Sequence, residues 1–375
     1  MAGQIVKRGE NTWLVRVFAG RDSKQKRRYV SKTIRGTKKD AQKYLNQKLR
    51  EKDLGIPLEQ SKEFLDDFLD RWLSDVVKGR VRPNTYSSYE WVLSAYVRPE
   101  LGSRKLPDIK APDIQRLYRQ MRDKGLSART IRYAHTVLSS ALGQAVKWHL
   151  LAVNPCRHVE LPKKQKPEVG YFTAEQARAF LAAAEGDRLY ALFLVAIECG
   201  LRPEEYLALR WKDVDLERNS LQVRRVINYL KGGGFVFDDP KTKTSRRSMH
   251  ISDQLTDALA AKRREQLEER MKAGPVYQDH DLVFATPLGM PLSLPNVRNR
   301  HFIPIRDAAG LPKIRLYDLR HTTATMMLAE GIHPKVVSER LGHDGVVITL
   351  DTYSHVLPNL QKNATDFMAR ALARK

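Results

Sequence analysis

Little in this chain announces a function by simple composition. It has two cysteines in 375 residues, Cys156 and Cys199, too few for a disulfide scaffold and without the spacing of a metal-ligand pair, so both are expected to be free thiols. The ten histidines also lack ligand spacing, and no glycine-rich phosphate loop of the Walker type is present. Neither a metal nor a nucleotide cofactor is expected. No apolar run approaches the roughly 18 residues of a spanning helix, and the start, MAGQIVKRGEN, has no signal-peptide core. No membrane partner and a cytoplasmic location are expected. Internal repeats and low-complexity tracts are absent.

What the chain has in excess is positive charge. The formal net charge is +23 and the pI about 10.0, with 42% hydrophobic residues to build folded cores, so the natural partner is a polyanion, nucleic acid first. The excess is uneven. Residues 1–60 hold sixteen Lys/Arg against six Asp/Glu, residues 61–167 twenty against eleven, and residues 168–375 thirty against twenty-six. Because electrostatic affinity scales with the number of phosphates neutralised, the first two segments read as the grip on the polyanion and the third as the tool.

The first segment reads as a small sheet and a helix. Trp13, Val15 and Val17 alternate with Leu14, Arg16 and Phe18; a loop at 19–26 turns the chain into a strand at 28–34, and residues 4–7 can add a third. Thr37, with Asp40 in capping-box position, starts a helix to about Leu54. The strand arginines and lysines suit a DNA groove, and equally a solvated basic face.

Residues 61–160 carry helical periodicity. Phe64, Leu65, Phe68, Leu69, Trp72 and Leu73 form an amphipathic stripe, Asn84 opens a second helix, residues 111–124 form a third, and Ser127 caps a fourth to about Trp148. Short connections imply a bundle. Lys124 to Ser127, with Arg129 and Arg132, joins positive charge to helix-terminal amides, a favourable place for a phosphate or simply a basic face. Asn154-Pro155 closes the bundle, and the Pro- and Lys-rich stretch 161–170 reads as a linker.

The third segment opens with a helix capped by Thr173 and Gln176, then an apolar helix at 190–197. Gly200 can end that helix and Pro203 begin the next, leaving Arg202 at the junction; its guanidinium can project outward or be buried against Glu205. Strands are expected at 221–226, 235–237 and 246–251, with residues 240–245, including Lys241, as the turn between the last two. Helices follow at 253–271 and about 294–308.

The closing segment gathers the chemistry. Arg320-His321, Leu341-Gly342-His343 and Asp351-Thr352-Tyr353 follow one another inside thirty-four residues. A tyrosine downstream of an arginine and ten positions after a histidine is a nucleophile candidate with phosphate-binding groups beside it, which suggests phosphoryl transfer. Singly these residues have ordinary explanations: a surface arginine, a histidine after a helix stop, a core tyrosine. Their joint order is what chance does not supply.

The ordered set Gly200-Leu201-Arg202-x-x-Glu205, Lys241-Thr242, Asp318-Leu319-Arg320-His321-Thr322, Leu341-Gly342-His343 and Asp351-Thr352-Tyr353-Ser354 resembles the signature of the tyrosine recombinase family, phage-type integrases in particular. The resemblance covers essentially the whole chain. It implies a multidomain α+β protein: an arm-type DNA-binding domain at 1–60, a small sheet plus helix; a helical core-site DNA-binding domain at 61–165; and a catalytic domain at 171–375, mainly helical with a small antiparallel sheet. It implies site-specific recombination, with Tyr353 attacking a DNA phosphodiester to give a 3′-phosphotyrosyl link and a free 5′-hydroxyl.

Within that reading, Arg202 and Arg320 hold the non-bridging oxygens, Lys241 is the candidate acid for the leaving 5′ oxygen, His343 donates to the phosphate and Glu205 orients Arg202. One position departs from the family pattern. Three residues before Arg320 a histidine is common, and here stands Tyr317, a neutral donor whose reference pKa is about 10. The resemblance further implies double-stranded attachment sites as substrate, a homotetramer on DNA, a directionality factor and a host DNA-bending protein. The tail 359–375, with Phe367, Met368 and Leu372, reads as an amphipathic helix able to pack on a neighbour or on its own domain. A cell-division resolvase of the same family, a type IB topoisomerase and a catalytically silent DNA-binding regulator are the alternative readings. The separate basic segment 1–60 disfavours the first two, and the intact Arg202, Lys241, Arg320, His343 and Tyr353 set the third.

Overall fold

Alternating apolar residues build the first element group. The strands β1 (Gly3–Gly9), β2 (Thr12–Arg21) and β3 (Arg27–Arg35) form an antiparallel sheet in that order, with Ile5 opposite Val15 and Val17 opposite Val30. Period-two alternation puts Val15 and Val17 on one face, where Ala41 and Leu45 of α1 (Lys38–Asp53) cover them. The capping box forms: Asp40 Oδ2 accepts from the Thr37 amide at 2.9 Å and Thr37 Oγ1 accepts from the Asp40 amide at 3.3 Å. The computed structural model describes residues 3–21, 25–53, 61–164, 170–230, 233–240, 243–353, 365–366 and 368–372. It divides into two compact units, 1–166 and 167–375.

The rest of the first unit is helical: α2 (Leu65–Trp72), α3 (Pro83–Val92), α4 (Arg98–Leu101), α5 (Ala111–Asp123) and α6 (Ala128–Lys147). α2 runs on through a wider turn at Leu73–Val77, and α3 reaches α4 through another at Leu93–Val97. Of the stripe read from the sequence, Leu65, Phe68, Leu69, Trp72 and Leu73 are buried in the core of this bundle, with the Trp72 ring stacked on Tyr89 at 6.1 Å, whereas Phe64, just ahead of α2, stays 45% exposed. Each such large apolar side chain, once buried, stabilises the fold by roughly 1.5–3 kcal/mol. Ser127 caps α6 by accepting from the Thr130 amide at 3.2 Å. Arg132, expected beside a phosphate place, instead donates to the Pro162 carbonyl at 2.8 Å, whereas Arg129 stays exposed.

In the second unit, α7 (Ala174–Ala183) begins at the Thr173–Gln176 capping box, and α8 (Tyr190–Glu198), apolar from Ala191 to Ile197, runs through the core. The short α9 (Pro203–Tyr206) follows. The sheet differs from the expectation. Residues 221–226 are not one strand: β5 (Ser220–Val223) pairs with β4 (Val214–Asp215) and β8 (Arg247–His250), and β6 (Val226–Tyr229) forms a separate hairpin with β7 (Phe235–Asp238). The break falls at Arg224-Arg225, where Arg225 Nε donates to the Ala208 carbonyl at 2.8 Å and its guanidinium lies 3.9 Å from the Phe237 ring centre. The strands on either side of the expected turn, β7 and β8, therefore lie in different sheets and do not pair as a hairpin.

Helices complete the unit: α10 (Asp253–Ala273), α11 (Leu294–Asn296), α12 (Ile303–Ala308), α13 (Asp318–Ala329), α14 (Pro334–Leu341) and α15 (Val346–Tyr353). A wider turn at Val297–Phe302 joins α11 to α12, giving the continuous helix expected near 294–308. Of the tail read as amphipathic, 365–366 and 368–372 are helical and the rest lies outside the described residues. Among the described residues no helix is long and apolar enough to cross a membrane.

Candidate active site

Gly200 has φ +63°, a conformation that stops α8, and Arg202 follows in extended conformation at the head of α9. From there the Arg202 amide donates to Glu205 Oε2 at 2.9 Å, while its Nη1 donates to Glu205 Oε1 at 2.8 Å. Arg202 Nη2 reaches the Gly342 carbonyl at 3.2 Å. The guanidinium is thus anchored, yet its side chain stays 29% exposed. Both local outcomes expected for Arg202, projection and pairing, occur together.

Glu205 is almost wholly buried and carries a second arginine. Arg247, on β8, donates from Nη2 to Oε2 at 2.8 Å and from Nη1 to Oε1 at 3.2 Å. Burial pushes the Glu205 carboxyl up, but Arg247, Arg202 and Arg320 together hold it below the usual carboxylate range. Arg247 also donates to the carbonyls of Arg340 at 2.6 Å and Ser245 at 3.0 Å. Gly342, left-handed at φ +65°, closes α14 against this group; a Cβ there would meet Arg247 Nη1 at 2.8 Å.

Arg320 lies inside α13 and is 2% exposed. Its Nη1 donates to the Gly200 carbonyl at 2.8 Å, whereas Nη2 is sealed from solvent and has no hydrogen-bond partner among the described residues. Burial and the neighbouring Arg202 charge lower its pKa to about 10, so it stays cationic at neutral pH. An unpaired buried guanidinium nitrogen is costly, and an anionic oxygen is the group that would satisfy it.

His343 follows Gly342 directly, with its Nδ1 2.7 Å from Thr349 Oγ1. Burial, then the charges of Arg320, Arg202 and Arg247, drive its pKa down to about 3, so the ring is neutral at pH 7 and can serve only as a neutral partner. Tyr353 ends α15 with its ring 1% exposed among Ala324, Leu328, Val337 and Leu341. Burial raises its pKa, against the opposing pull of Arg320. Its hydroxyl is 2.6 Å from His321 Nδ1.

Tyr317, at the head of α13, is 38% exposed, and its ring lies 5.5 Å from that of His321. The structure therefore gathers Arg202, Glu205, Arg320, His343, Tyr317 and Tyr353 in one region of the second unit, with Tyr317 and Arg202 at its exposed side. Lys241 and Thr242 lie outside the described residues. Two members went unassigned in the sequence. His321 stood in a quoted motif without a role, although its i,i+4 spacing from Tyr317 places both on one helix face. Arg247 carried no sequence signal among 66 basic residues. Among the described residues no three His, Cys, Asp or Glu side chains are grouped to hold a metal.

Two permanently charged guanidinium groups, a neutral imidazole and a phenol in one region suit the binding of a phosphodiester and attack on it. Residues 170–359 match the model of the phage integrase family, half of the chain, and residues 64–122 that of the phage integrase N-terminal SAM-like domain. The chain belongs to the phage integrase family of tyrosine recombinases. This recombinase is 34% identical over 380 aligned positions to a tyrosine recombinase XerC-like protein of Caldanaerobacter subterraneus subsp. tengcongensis, covering 96% of each chain. Its fold is similar to that of the Tn1549 transposon integrase in complex with a circular intermediate DNA, with TM-score 0.69, 21% identity, and coverage of 82% of this chain and 99% of that one. It is similar as well to a lambda integrase tetramer bound to a Holliday junction, with TM-score 0.57, 19% identity, and coverage of 92% and 96%. The recombinase is a DNA strand-transfer enzyme with the fold class expected from its sequence: a small antiparallel sheet and helix, a helical core and a helical domain carrying a small sheet.

Proposed function

We propose that this recombinase cuts and rejoins double-stranded DNA at attachment sites through a 3′-phosphotyrosyl link on Tyr353, integrating and excising a phage or other mobile element. The observation that carries the reading is the buried, unpaired Nη2 of Arg320 beside a second arginine, Arg202, and a tyrosine, Tyr353. A scissile phosphate supplies the anionic oxygen that this nitrogen lacks. Arg202 holds the other non-bridging oxygen, braced by Glu205, and such preorganised donors act where charge builds in the transition state. Losing one typically costs about 3–4 kcal/mol, or roughly two to three orders of magnitude in rate. His343 donates as a neutral imidazole, and Tyr317 as a neutral phenol at the exposed side. Lys241 protonates the leaving 5′ oxygen.

The phosphotyrosyl bond keeps the energy of the broken diester, so a 5′-hydroxyl of another duplex can reverse the step without ATP. Exchange of two duplexes needs four such sites, and a homotetramer on DNA is the working form, acting in the cytoplasm with a directionality factor and a host DNA-bending protein. Residues 1–60 serve as the arm-site reader, 61–165 as the core-site domain and 171–375 as the catalytic domain. The sheet-plus-helix at the start of the chain supports this over an arm-less resolvase.

The test is to incubate wild type and Tyr353→Phe with a genomic DNA fragment pool and denature. Wild type is expected to carry covalently bound DNA fragments of shared sequence, and the Phe variant to bind DNA without any adduct. Adducts surviving in the Phe variant would assign the attack to another residue.

A further inference from the structure

A buried phenol is a poor nucleophile until something takes its proton, and the surroundings of Tyr353 narrow what that can be. Arg320 only donates. Tyr317 is a second phenol, a hydroxyl donor like the nucleophile, and the Asp318 carboxylate is held by Arg315, at 2.7 Å from both the Arg315 amide and its Nη2. His343 is engaged through Nδ1 by Thr349 Oγ1 at 2.7 Å, so among the described residues that leaves His321, whose Nδ1 already stands 2.6 Å from the Tyr353 hydroxyl. Resting on the phosphotyrosyl reading above, we propose that His321 is the general base that accepts the Tyr353 proton as the phenolic oxygen attacks phosphorus.

The position of the ring is fixed from several sides. His321 lies one helical turn after Tyr317 on α13, and the Tyr317 ring edge packs on it, centroids 5.5 Å apart. The Tyr353 ring lies 5.6 Å away on the other flank. Its Nε2 is 3.9 Å from Asp318 Oδ1, too long for a hydrogen bond but close enough for the carboxylate to favour a proton on Nε2, which leaves Nδ1 as the acceptor. The charged and titratable groups facing the imidazole are Arg315, Tyr317, Asp318 and Arg320 from α13 and its lead-in, Tyr353 from α15, and His343 from the turn between α14 and α15. Burial, ahead of the opposing pull of Asp318, lowers the His321 pKa, so the ring is neutral at physiological pH and free to take a proton.

The step balances. The Tyr353 O–H bond breaks and its proton passes to Nδ1; the bond from the phenolic oxygen to phosphorus forms while the bond from phosphorus to the 5′ oxygen breaks, and Lys241 gives that oxygen its proton. The imidazolium so formed faces Asp318. Rejoining runs the same transfers backward, with His321 returning the proton to Tyr353.

The experiment measures single-turnover adduct formation on a core-site duplex recovered by trapping. It compares wild type, His321→Asn, His321→Gln and Lys241→Ala, on ordinary DNA and on DNA with sulfur at the 5′ bridging position. Sulfur leaves without an acid, so Lys241→Ala is expected to recover on it, while both His321 variants stay slower than wild type by roughly 100-fold or more on either substrate. Their DNA affinity and melting temperature should be unchanged, and their rates should climb with pH as hydroxide replaces the missing base. Recovery of the His321 variants on the sulfur substrate would move His321 to the leaving-group side and overturn the proposal. So would wild-type rates in His321→Gln, which keeps a hydrogen-bonding side chain but cannot take a proton. No adduct from wild type at all would strike the phosphotyrosyl reading itself, whereas undiminished adduct in the variants strikes only the base.

Discussion

Arg247 and Glu205 meet fork to fork, 42 residues apart in sequence, with both carboxylate oxygens of the buried Glu205 engaged by one guanidinium. The pair joins β8 to the first turn of α9 and leaves Arg202 a braced carboxylate to lean on. Glu205 thus has two arginine partners, of which only Arg202 keeps appreciable exposure: 29% of its side chain against 6% for Arg247. The division of labour follows from burial. The enclosed arginine neutralises the carboxylate, and the accessible one is presented outward.

Removing one partner of such a buried pair leaves a charge without compensation, which typically costs about 3–5 kcal/mol. Arg247→Met is therefore expected to lower unfolding stability in urea by that order, and Glu205→Gln in the Arg247→Met background to recover part of it. Arg247→Lys should rescue poorly, since an ammonium cannot engage both oxygens in the plane. A single-variant loss below about 1 kcal/mol, the scale of an exposed ion pair, would show that the pair contributes little.

Stability should also depend on pH through the two partly buried histidines of the site. His343, with its pKa pushed down to about 3, and His321, lowered in the same direction, stay neutral in the folded state while the unfolded chain protonates near the ordinary histidine value, about 6.5. Between those values the unfolded state binds more protons, so unfolding free energy rises with pH. The histidine contribution is full above the unfolded value and is lost as pH falls below it. Urea melts from pH 7.5 down to pH 5 should show falling midpoints, and His343→Gln should flatten the slope. Glu205, lowered from the carboxylate range, acts at lower pH and does not mimic this. An unchanged slope in the glutamine variant would mean that His343 does not govern it.

Deleting residues 1–60 removes sixteen basic against six acidic residues and, in the proposed function, one of two linked DNA contacts. Binding to full attachment DNA is expected to weaken steeply with a shallower salt dependence, while the truncated chain still forms the Tyr353 adduct on a short core duplex. Integration between complete sites should be lost. Unaltered integration and salt slope would make the first segment an ordinary basic surface.

The sequence by itself determined whatever depends on neighbours a turn or two apart. Thr37–Asp40 and Thr173–Gln176 form the capping boxes their spacing predicts, the stripe from Leu65 to Trp72 becomes a bundle core, and Gly200 and Gly342 stop their helices in the left-handed conformation. The order of the Arg202, Arg320, His343 and Tyr353 motifs likewise pointed to the recombinase family without any knowledge of distance. Tertiary structure alone decided which strands pair. Residues 221–226 read as one strand because alternation cannot register a change of partner, yet Val223 lies opposite Arg247 while Val226 lies opposite Asp238. It also decided the two contacts on which the chemistry is argued to turn, Arg247 with Glu205 and His321 with Tyr353. Both join side chains more than thirty residues apart whose types are common in a basic chain, so their meaning lies in angstroms that packing sets and no local pattern encodes.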